Sequence, residues 1–269
     1  MKTIRPRQYW NDYASRFKNR SLADAYELRP PYPEEMYKIL LNVLRKSRGK
    51  VLDVGSGPGK IARFLVDHVD SVDAVDFSQE MIRVGKSLIN GNHPDLRWIN
   101  GRVEEVPLYP PYDMVTAGAS IHWMEWSAVF PRFKEMLTTD GSLVIIDGDR
   151  PIESPWHDAE LSLIHKYSTN RHHEQIDLIQ ELVDRKHLHL IGDKRTTPIR
   201  FSQPLTDYVQ SFHSRESMSK EHMGAENVRA FDTELSHILS DFVDDQGLLS
   251  FQLAARVTWG KPLAQDQAL

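Results

Sequence analysis

The sequence predicts an α/β fold: a doubly wound, mostly parallel sheet with an antiparallel last strand and a helical lid insertion. Three observations carry that expectation. Between residues 50 and 147, short apolar runs alternate with amphipathic stretches, the pattern of strands crossed over by helices. The first of those runs ends in a glycine-rich turn, Gly55-Ser56-Gly57-Pro58-Gly59. After Gly148 the alternation gives way to helix-like segments, and one last strand-like stretch follows near the carboxyl end.

Taken in order, residues 1–48 form an N-terminal helical cap, broken at Arg29-Pro30-Pro31-Tyr32-Pro33, where prolines forbid a regular ladder. Residues 49–150 form the core. Lys50 to Val54 is a short apolar strand, Ser71 to Asp76 alternates at period 2, and Leu96 to Ile99 is a third short strand. Ile61, Phe64 and Leu65 mark the first intervening helix. Met81, Ile82, Val84 and Leu88 mark the second, behind an N-cap at Ser78. Prolines at 107, 110 and 111 make a loop before strands at Tyr112 to Thr116 and Ser142 to Asp147, with a helix from about Ser127 to Leu137 between them. Residues 151–247 read as the helical lid, an insertion for substrate that also contributes part of the sheet. Its helical stretches run from Asp158 to Tyr167, from Glu174 to Lys186, and along the face Val228, Phe231, Leu235, Ile238, Leu239 and Phe242. A turn at Asp244-Asp245-Gln246-Gly247 opens residues 248–269, the closing strand (Leu249 to Trp259) and tail.

At 269 residues, with 40% hydrophobic and 26% charged side chains, the chain can bury a full core unaided. It has no cysteine, which excludes disulfides, thiolate metal sites and cysteine nucleophiles. The amino terminus has no apolar run behind its positive charges, and no window of about 18 residues is free of charge, so a cytoplasmic protein without a membrane span is expected. The net charge of −5 divides unevenly: residues 1–50 carry +7 and the remainder −12. Such a head can attract an acidic small substrate or a phosphate backbone, or it can be a solvated helical face.

The glycine turn is the most informative stretch. A dinucleotide fingerprint needs glycine at position 60, which is Lys60, and Pro58 removes an amide that a pyrophosphate cradle would use. Asp76 lies seventeen residues beyond Gly59, at the end of the second strand, where a carboxylate can accept both hydroxyls of a ribose. Here the chain resembles the class I S-adenosylmethionine-dependent methyltransferases, with their Rossmann-like fold. Their D/E-x-G-x-G-x-G hallmark reads Asp53-Val54-Gly55-Ser56-Gly57-Pro58-Gly59, followed by Asp76-Phe77-Ser78-x-x-Met81. Gly101-Arg102-Val103-Glu104-Glu105-Val106-Pro107 looks like the family's adenine-facing loop. Ala119-Ser120-Ile121-His122-Trp123, with Tyr26-x-x-Arg29-Pro30-x-Tyr32-Pro33, looks like the small-molecule branch of trans-aconitate and quinone-precursor methyltransferases. The resemblance covers residues 9 to 148 well and only the general plan beyond.

The resemblance implies S-adenosylmethionine as cofactor, held by Arg29, Asp53, Gly55, Ser56, Gly57, Asp76, Phe77, Met81, Val103, Glu104 and Ala119. For Arg29 a polyproline-turn role stays open beside the methionine carboxylate, and Phe77 and Met81 are core residues in the alternative reading. His122 is the candidate base for acceptor deprotonation, or a packed pocket wall, with Trp123 and Trp126 as the aromatic wall for a small-molecule substrate. A substrate carboxylate would find Arg5, Arg7, Arg16 or Arg29. The alternatives are an RNA or protein methyltransferase, or a non-catalytic cofactor-binding scaffold. No nucleic-acid module is appended, so nucleic acid is not expected as a partner, and oligomeric state stays open.

Three features are decoys. Pro110-Pro111-Tyr112-Asp113 resembles an amino-adenine methyltransferase element but precedes the fourth strand instead of following it. Asp147-Gly148-Asp149 lacks the companion aspartate after that strand that a catechol-type metal site needs, so no metal is expected. His172-His173 and His187-x-His189 lack zinc-helix spacing and are expected in solvent.

Overall fold

The computed structural model describes residues 15–45, 48–148, 150–170 and 176–264. Its ten strands are β1 (Lys50–Val54), β2 (Ser71–Asp76), β3 (Leu96–Asn100), β4 (Tyr112–Gly118), β5 (Leu137–Asp147), β6 (Pro151–Ile152), β7 (Leu188–Arg195), β8 (Ile199–Pro204), β9 (Leu248–Leu253) and β10 (Arg256–Pro262). Seven form one sheet in the order β3-β2-β1-β4-β5-β10-β7. Strands β1 to β5 run parallel, and β10 is antiparallel to both β5 and β7. This is the doubly wound sheet that the sequence predicts. Because β1 pairs with β2 on one side and β4 on the other, chain order reverses at β1, and a crevice opens at its carboxyl end.

The short parallel strands β1 and β2 are buried at every position but the first because helices cover both faces. On one face α2 (Glu34–Leu44), following α1 (Arg20–Ala25), turns Met36, Ile39, Leu40 and Leu44 onto Val51, Val72 and Met114. The glycine turn feeds α3, only Ala62–Leu65, and Ser78 caps α4 (Gln79–Ser87) by accepting the Met81 amide at 3.3 Å. On the other face α5 (Trp126–Met136) lays Val129, Phe130 and Phe133 against Leu52, Val115 and Leu143. The amino-terminal segment returns over the sheet, where Leu22 and Ala23 pack on Met81 and Val84 of α4.

Residues beyond 150 build a third core. It joins α6 (His157–Tyr167), α8 (Leu205–Ser211) and α10 (Ala225–Leu239) to a small antiparallel sheet in the order β6-β9-β8. Two short helices, α7 (Leu178–Asp184) and α9 (Lys220–Met223), complete the set. The predicted closing strand from Leu249 to Trp259 is two strands: β9 belongs to the small sheet and β10 to the large one. The break is at Ala255, whose amide is taken by Thr196 Oγ1 at 2.9 Å and whose carbonyl is taken by the Thr196 amide. Gly148 lets the backbones meet there, since a Cβ would sit 2.4 Å from Ala255 Cα.

Candidate functional site

The carboxyl end of β1 turns sharply through two glycines with left-handed backbone, Gly55 at φ 60° and Gly57 at φ 54°. Gly55 also has no room for a side chain, because its Cβ would lie 2.5 Å from Ser120 Cβ. Ser120 is itself fixed, donating from Oγ to the Val54 carbonyl at 2.6 Å. The turn therefore interlocks with the segment after β4, and its Ser56, Gly57 and Gly59 amides donate to the Val75 carbonyl, the Asp76 carboxylate and the Ser56 carbonyl.

Two buried carboxylates flank this turn. Asp76, ending β2, accepts from the Gly57 amide on Oδ2 and from the Ser78 amide on Oδ1, both at 2.7 Å. Asp53, in β1, accepts from Thr116 Oγ1 at 2.8 Å on Oδ1, while its Oδ2 and the neighbouring Ser56 Oγ are buried without a hydrogen-bond partner. Buried polar atoms left so are rare in a native interior, and each calls for an explanation such as strain, a bound water or ion, or a ligand. A cavity of about 20 Å³ lies here, lined by Tyr26, Tyr32, Asp53, Gly55, Ser56, Lys60, Ile61 and Gly118. Polar orphans, a glycine cradle and aromatic walls fit the amino acid and ribose portions of an adenosine-type ligand.

Burial holds both carboxyls above their ordinary range, Asp53 at about 7 and Asp76 at about 6, with the Thr116 hydroxyl and the Ala62 amide partly offsetting at Asp53 and the Ser78 and Gly57 amides at Asp76. A carboxyl whose folded pKa is raised adds stability that is complete below its unfolded value near 4 and is lost as pH climbs through the folded value. Asp53→Asn is therefore expected to raise the stability of the ligand-free protein by roughly 2–4 kcal/mol at pH 8 and to change little at pH 4. Thermal melts at the two pH values check this. An equal shift at both would show that buried charge is not the cause.

The other expected site residues are placed as follows. Ala119 has φ 48°, a strained left-handed conformation for a residue with a Cβ, and its amide donates to Ile146. Phe77 is half-buried with Lys18 Nζ 5.7 Å from its ring centroid, whereas Met81 is buried in the cluster beneath α1. Val103 packs in the core between the sheet and α5. The Glu104 carboxylate accepts from the Glu125 amide at 2.9 Å, at the start of α5. His122 and Trp123 lie on a single 3-10 turn, half-buried, with ring centroids 4.9 Å apart, and Trp123 meets Phe17 edge-on at 5.6 Å. Trp126 does not join them in a wall. It is 2% exposed, donates from Nε1 to the Ile121 carbonyl and sits in the core beside His187, because the first turn of α5 faces the sheet.

Arg29 donates from Nε and Nη2 to Ser214 Oγ and O, each at 2.7 Å, and its guanidinium lies 4.3 Å from the Tyr26 ring. Arg16 donates to Thr169 Oγ1 at 2.6 Å. Arg5, Arg7, His172 and His173 lie outside the described residues. His187 is a correction: it is 6% exposed, stacked on Phe130 at 5.0 Å, and burial lowers its pKa, while His189 is exposed as expected. Residue 187 is buried because it joins α7 to β7 over the core.

Sequence reasoning left Tyr26, Tyr32, Lys60, Thr116 and Ser120 without roles. Tyr26 and Tyr32 belong to the proline stretch already singled out, and Lys60 Nζ donates to the Arg29 carbonyl at 3.0 Å, tying that stretch to the glycine turn.

Residues 51–141 match the family model described as a methyltransferase domain. The chain is 26% identical over 129 residues to a probable S-adenosylmethionine-dependent methyltransferase of Saccharomyces cerevisiae, covering 46% of this chain and 44% of that protein. It is 31% identical over 138 residues to an uncharacterized methyltransferase of Mycobacterium bovis, covering 51% and 54%. The chain thus spans about half the length of the curated relatives it matches. A methyltransferase of Thiobacillus denitrificans, solved in complex with S-adenosyl-L-homocysteine, shares the fold with a TM-score of 0.52 at 15% identity, over 90% of this chain and 97% of that one.

Proposed function

We infer that this chain, whose residues 51–141 match a methyltransferase-domain family model, transfers a methyl group from S-adenosylmethionine to a small-molecule acceptor. The observation that carries the reading is the cradle at the end of β1: left-handed Gly55 and Gly57 between buried Asp53 and Asp76, with Asp53 Oδ2 and Ser56 Oγ lacking partners. When bound, S-adenosylmethionine supplies a methyl group on a positively charged sulfur, already activated for displacement.

The chain's own residues then have binding and positioning work. The Asp76 carboxylate, held rigid by two backbone amides, keeps a further lone pair on each oxygen for the ribose hydroxyls. Asp53 Oδ2 and Ser56 Oγ gain partners in the amino acid portion. His122, at the sheet's carboxyl edge, removes a proton from a hydroxyl or acidic carbon acceptor, while Trp123 bounds the space beside it.

A small acceptor is favoured by the roof over the site. The amino-terminal segment and the insertion are tied across it by Arg16 to Thr169, by Ser21 Oγ to Glu221 at 2.5 Å, and by Arg29 to Ser214. A ligand pocket usually spans ~300–1,000 Å³. The cavity at the glycine turn is far smaller, and loosening of these ties is expected to admit ligand.

The test is incubation with methyl-labelled S-adenosylmethionine and a metabolite extract, with and without RNase, and with and without a chelator. Label in the small-molecule fraction, insensitive to both treatments, is expected. Label in RNA or protein would replace the small acceptor, and loss on chelation with recovery on magnesium would contradict metal-free transfer. Among the described residues no three His, Asp or Glu side chains are grouped to hold a metal ion, and no helix is long and apolar enough to cross a membrane.

A further inference from the structure

A cleft of about 580 Å³ lies between the core and the insertion. One wall belongs to the core: Tyr37 of α2, Arg63 and Phe64 of α3, and Ile89 just beyond α4. The other belongs to the insertion: Phe201 and Gln203 of β8, and Asp207 of α8. Lys60 lines both this cleft and the small cavity at the glycine turn, but none of Asp53, Gly55, Ser56, Asp76, His122 and Trp123 lines the cleft. It is therefore separate from the residues assigned to the cofactor and to methyl transfer, and its size falls within the ~300–1,000 Å³ usual for ligand pockets.

Gln203 brings an unmet hydrogen bond to this cleft. Its side chain is 7% exposed, yet Nε2 has no hydrogen-bond partner among the described residues. Strand alternation puts it on the same face of β8 as Phe201, two residues earlier. A buried amide left so carries the desolvation cost of its N–H groups, and in a cleft of this size a ligand oxygen can remove it. The amide can also turn over, exchanging nitrogen and oxygen, so a partner offering an acceptor and a donor side by side suits either orientation.

The remaining walls narrow the choice. Phe64 stacks on Tyr37 with ring centroids 4.0 Å apart, and Phe201 supplies a ring from the insertion side. Ile89, 85% exposed, adds apolar surface at the rim. The cations direct donors into the protein: Arg63 to the Pro58 and Ile89 carbonyls at 2.9 and 3.1 Å, Lys60 to the Arg29 carbonyl at 3.0 Å, and Arg29 to Ser214. The carboxylates are less occupied. Asp67 accepts from Asn90 at 2.6 Å, Asp207 from Thr206 at 3.5 Å, and Glu27 lies 3.9 Å from Arg63, so each keeps lone pairs for an incoming N–H. Flat apolar walls, an orphaned amide and open acceptor oxygens together suit an aromatic ring with polar edges.

We propose that this cleft is a second ligand site, for a planar heteroaromatic molecule that carries a carbonyl and an N–H group side by side. Because its walls come from both the core and the insertion, the bound molecule fastens one to the other. The site goes beyond the methyltransferase reading and does not depend on it.

Wild type, Gln203→Met, Phe64→Leu and Ile89→Ser are titrated calorimetrically with nicotinamide, cytosine and hypoxanthine, and with pyridine, which keeps a ring but lacks the amide. Each titration is run with and without saturating S-adenosylhomocysteine. At least one of the three amide-bearing probes is expected to bind the wild type at one site under both conditions, with pyridine at least about tenfold weaker. Gln203→Met should weaken that probe by about tenfold, and Phe64→Leu and Ile89→Ser by about threefold or more. Ile89 is exposed, so its variant reports even if substitution at Gln203 disturbs folding. The proposal is overturned if no probe binds, if the variants bind it as the wild type does, or if pyridine binds as tightly. Displacement by S-adenosylhomocysteine overturns it equally, because the probe then occupies the cofactor crevice. A wild type that binds a probe through these residues but takes up no S-adenosylhomocysteine would support the cleft while defeating the methyltransferase reading.

Discussion

Gly55→Val is expected to lower S-adenosylhomocysteine affinity by at least ~100-fold and to destabilise the fold by roughly 2–4 kcal/mol. Two costs act together. A side chain at φ 60° enters the left-handed region, which disfavours any Cβ and a β-branched one most. The new Cβ would also lie 2.5 Å from Ser120 Cβ and 3.4 Å from Met124 Cε, and Ser120 cannot retreat without breaking its 2.6 Å bond to the Val54 carbonyl. The turn must move, and the Asp53 and Asp76 carboxylates would no longer flank a single crevice. Gly247→Ala is the control. It has φ 75° but nothing within 4 Å of the added Cβ, so it should show backbone strain alone and unchanged ligand affinity. Calorimetric titration and thermal melts of both variants check the pair. Gly55→Val retaining affinity within about threefold would remove the turn from the binding site.

His122→Ala should lower turnover by ~100-fold or more if the acceptor is a hydroxyl or an acidic carbon, the scale on which positioned general bases act. A carboxylate acceptor is already ionised at neutral pH, so the same variant should then keep most of its rate. The ring's place on the turn after β4, with its centroid 4.9 Å from that of Trp123, suits either a base or a wall, and the rate decides between them. We expect the base-assisted result, and a near-native rate on the identified acceptor would retire His122 as catalyst.

The first five strands and the glycine turn were legible because strands covered on both faces are buried along nearly their whole length, and the valine, leucine and alanine of β1 and β2 mark them. The Ser78 cap was legible for the same reason of local chemistry: its hydroxyl accepts the Met81 amide wherever the helix packs. Trp126 was not. Its spacing from Trp123 is equally consistent with one wall or with two environments, and only the docking of α5 on the sheet turns it inward. Strand β7 escaped notice because it is an edge strand with Leu190 and Ile191 both exposed, which erases the alternation that marks a half-buried strand. The split between β9 and β10 depends on Thr196, some sixty residues away in sequence, taking the Ala255 backbone.

Whether this crevice holds an adenosine ligand through Asp76 is measured directly by titration of wild type and Asp76→Ala with S-adenosylhomocysteine. The wild type should bind saturably at one site per chain. The variant should bind more weakly by ~1.5–3 kcal/mol, about 10–100-fold, the range for losing charge-assisted hydrogen bonds to a buried carboxylate. A folded wild type that gives no saturable binding, or an Asp76→Ala variant of unchanged affinity, would contradict the assignment of this crevice as the cofactor site.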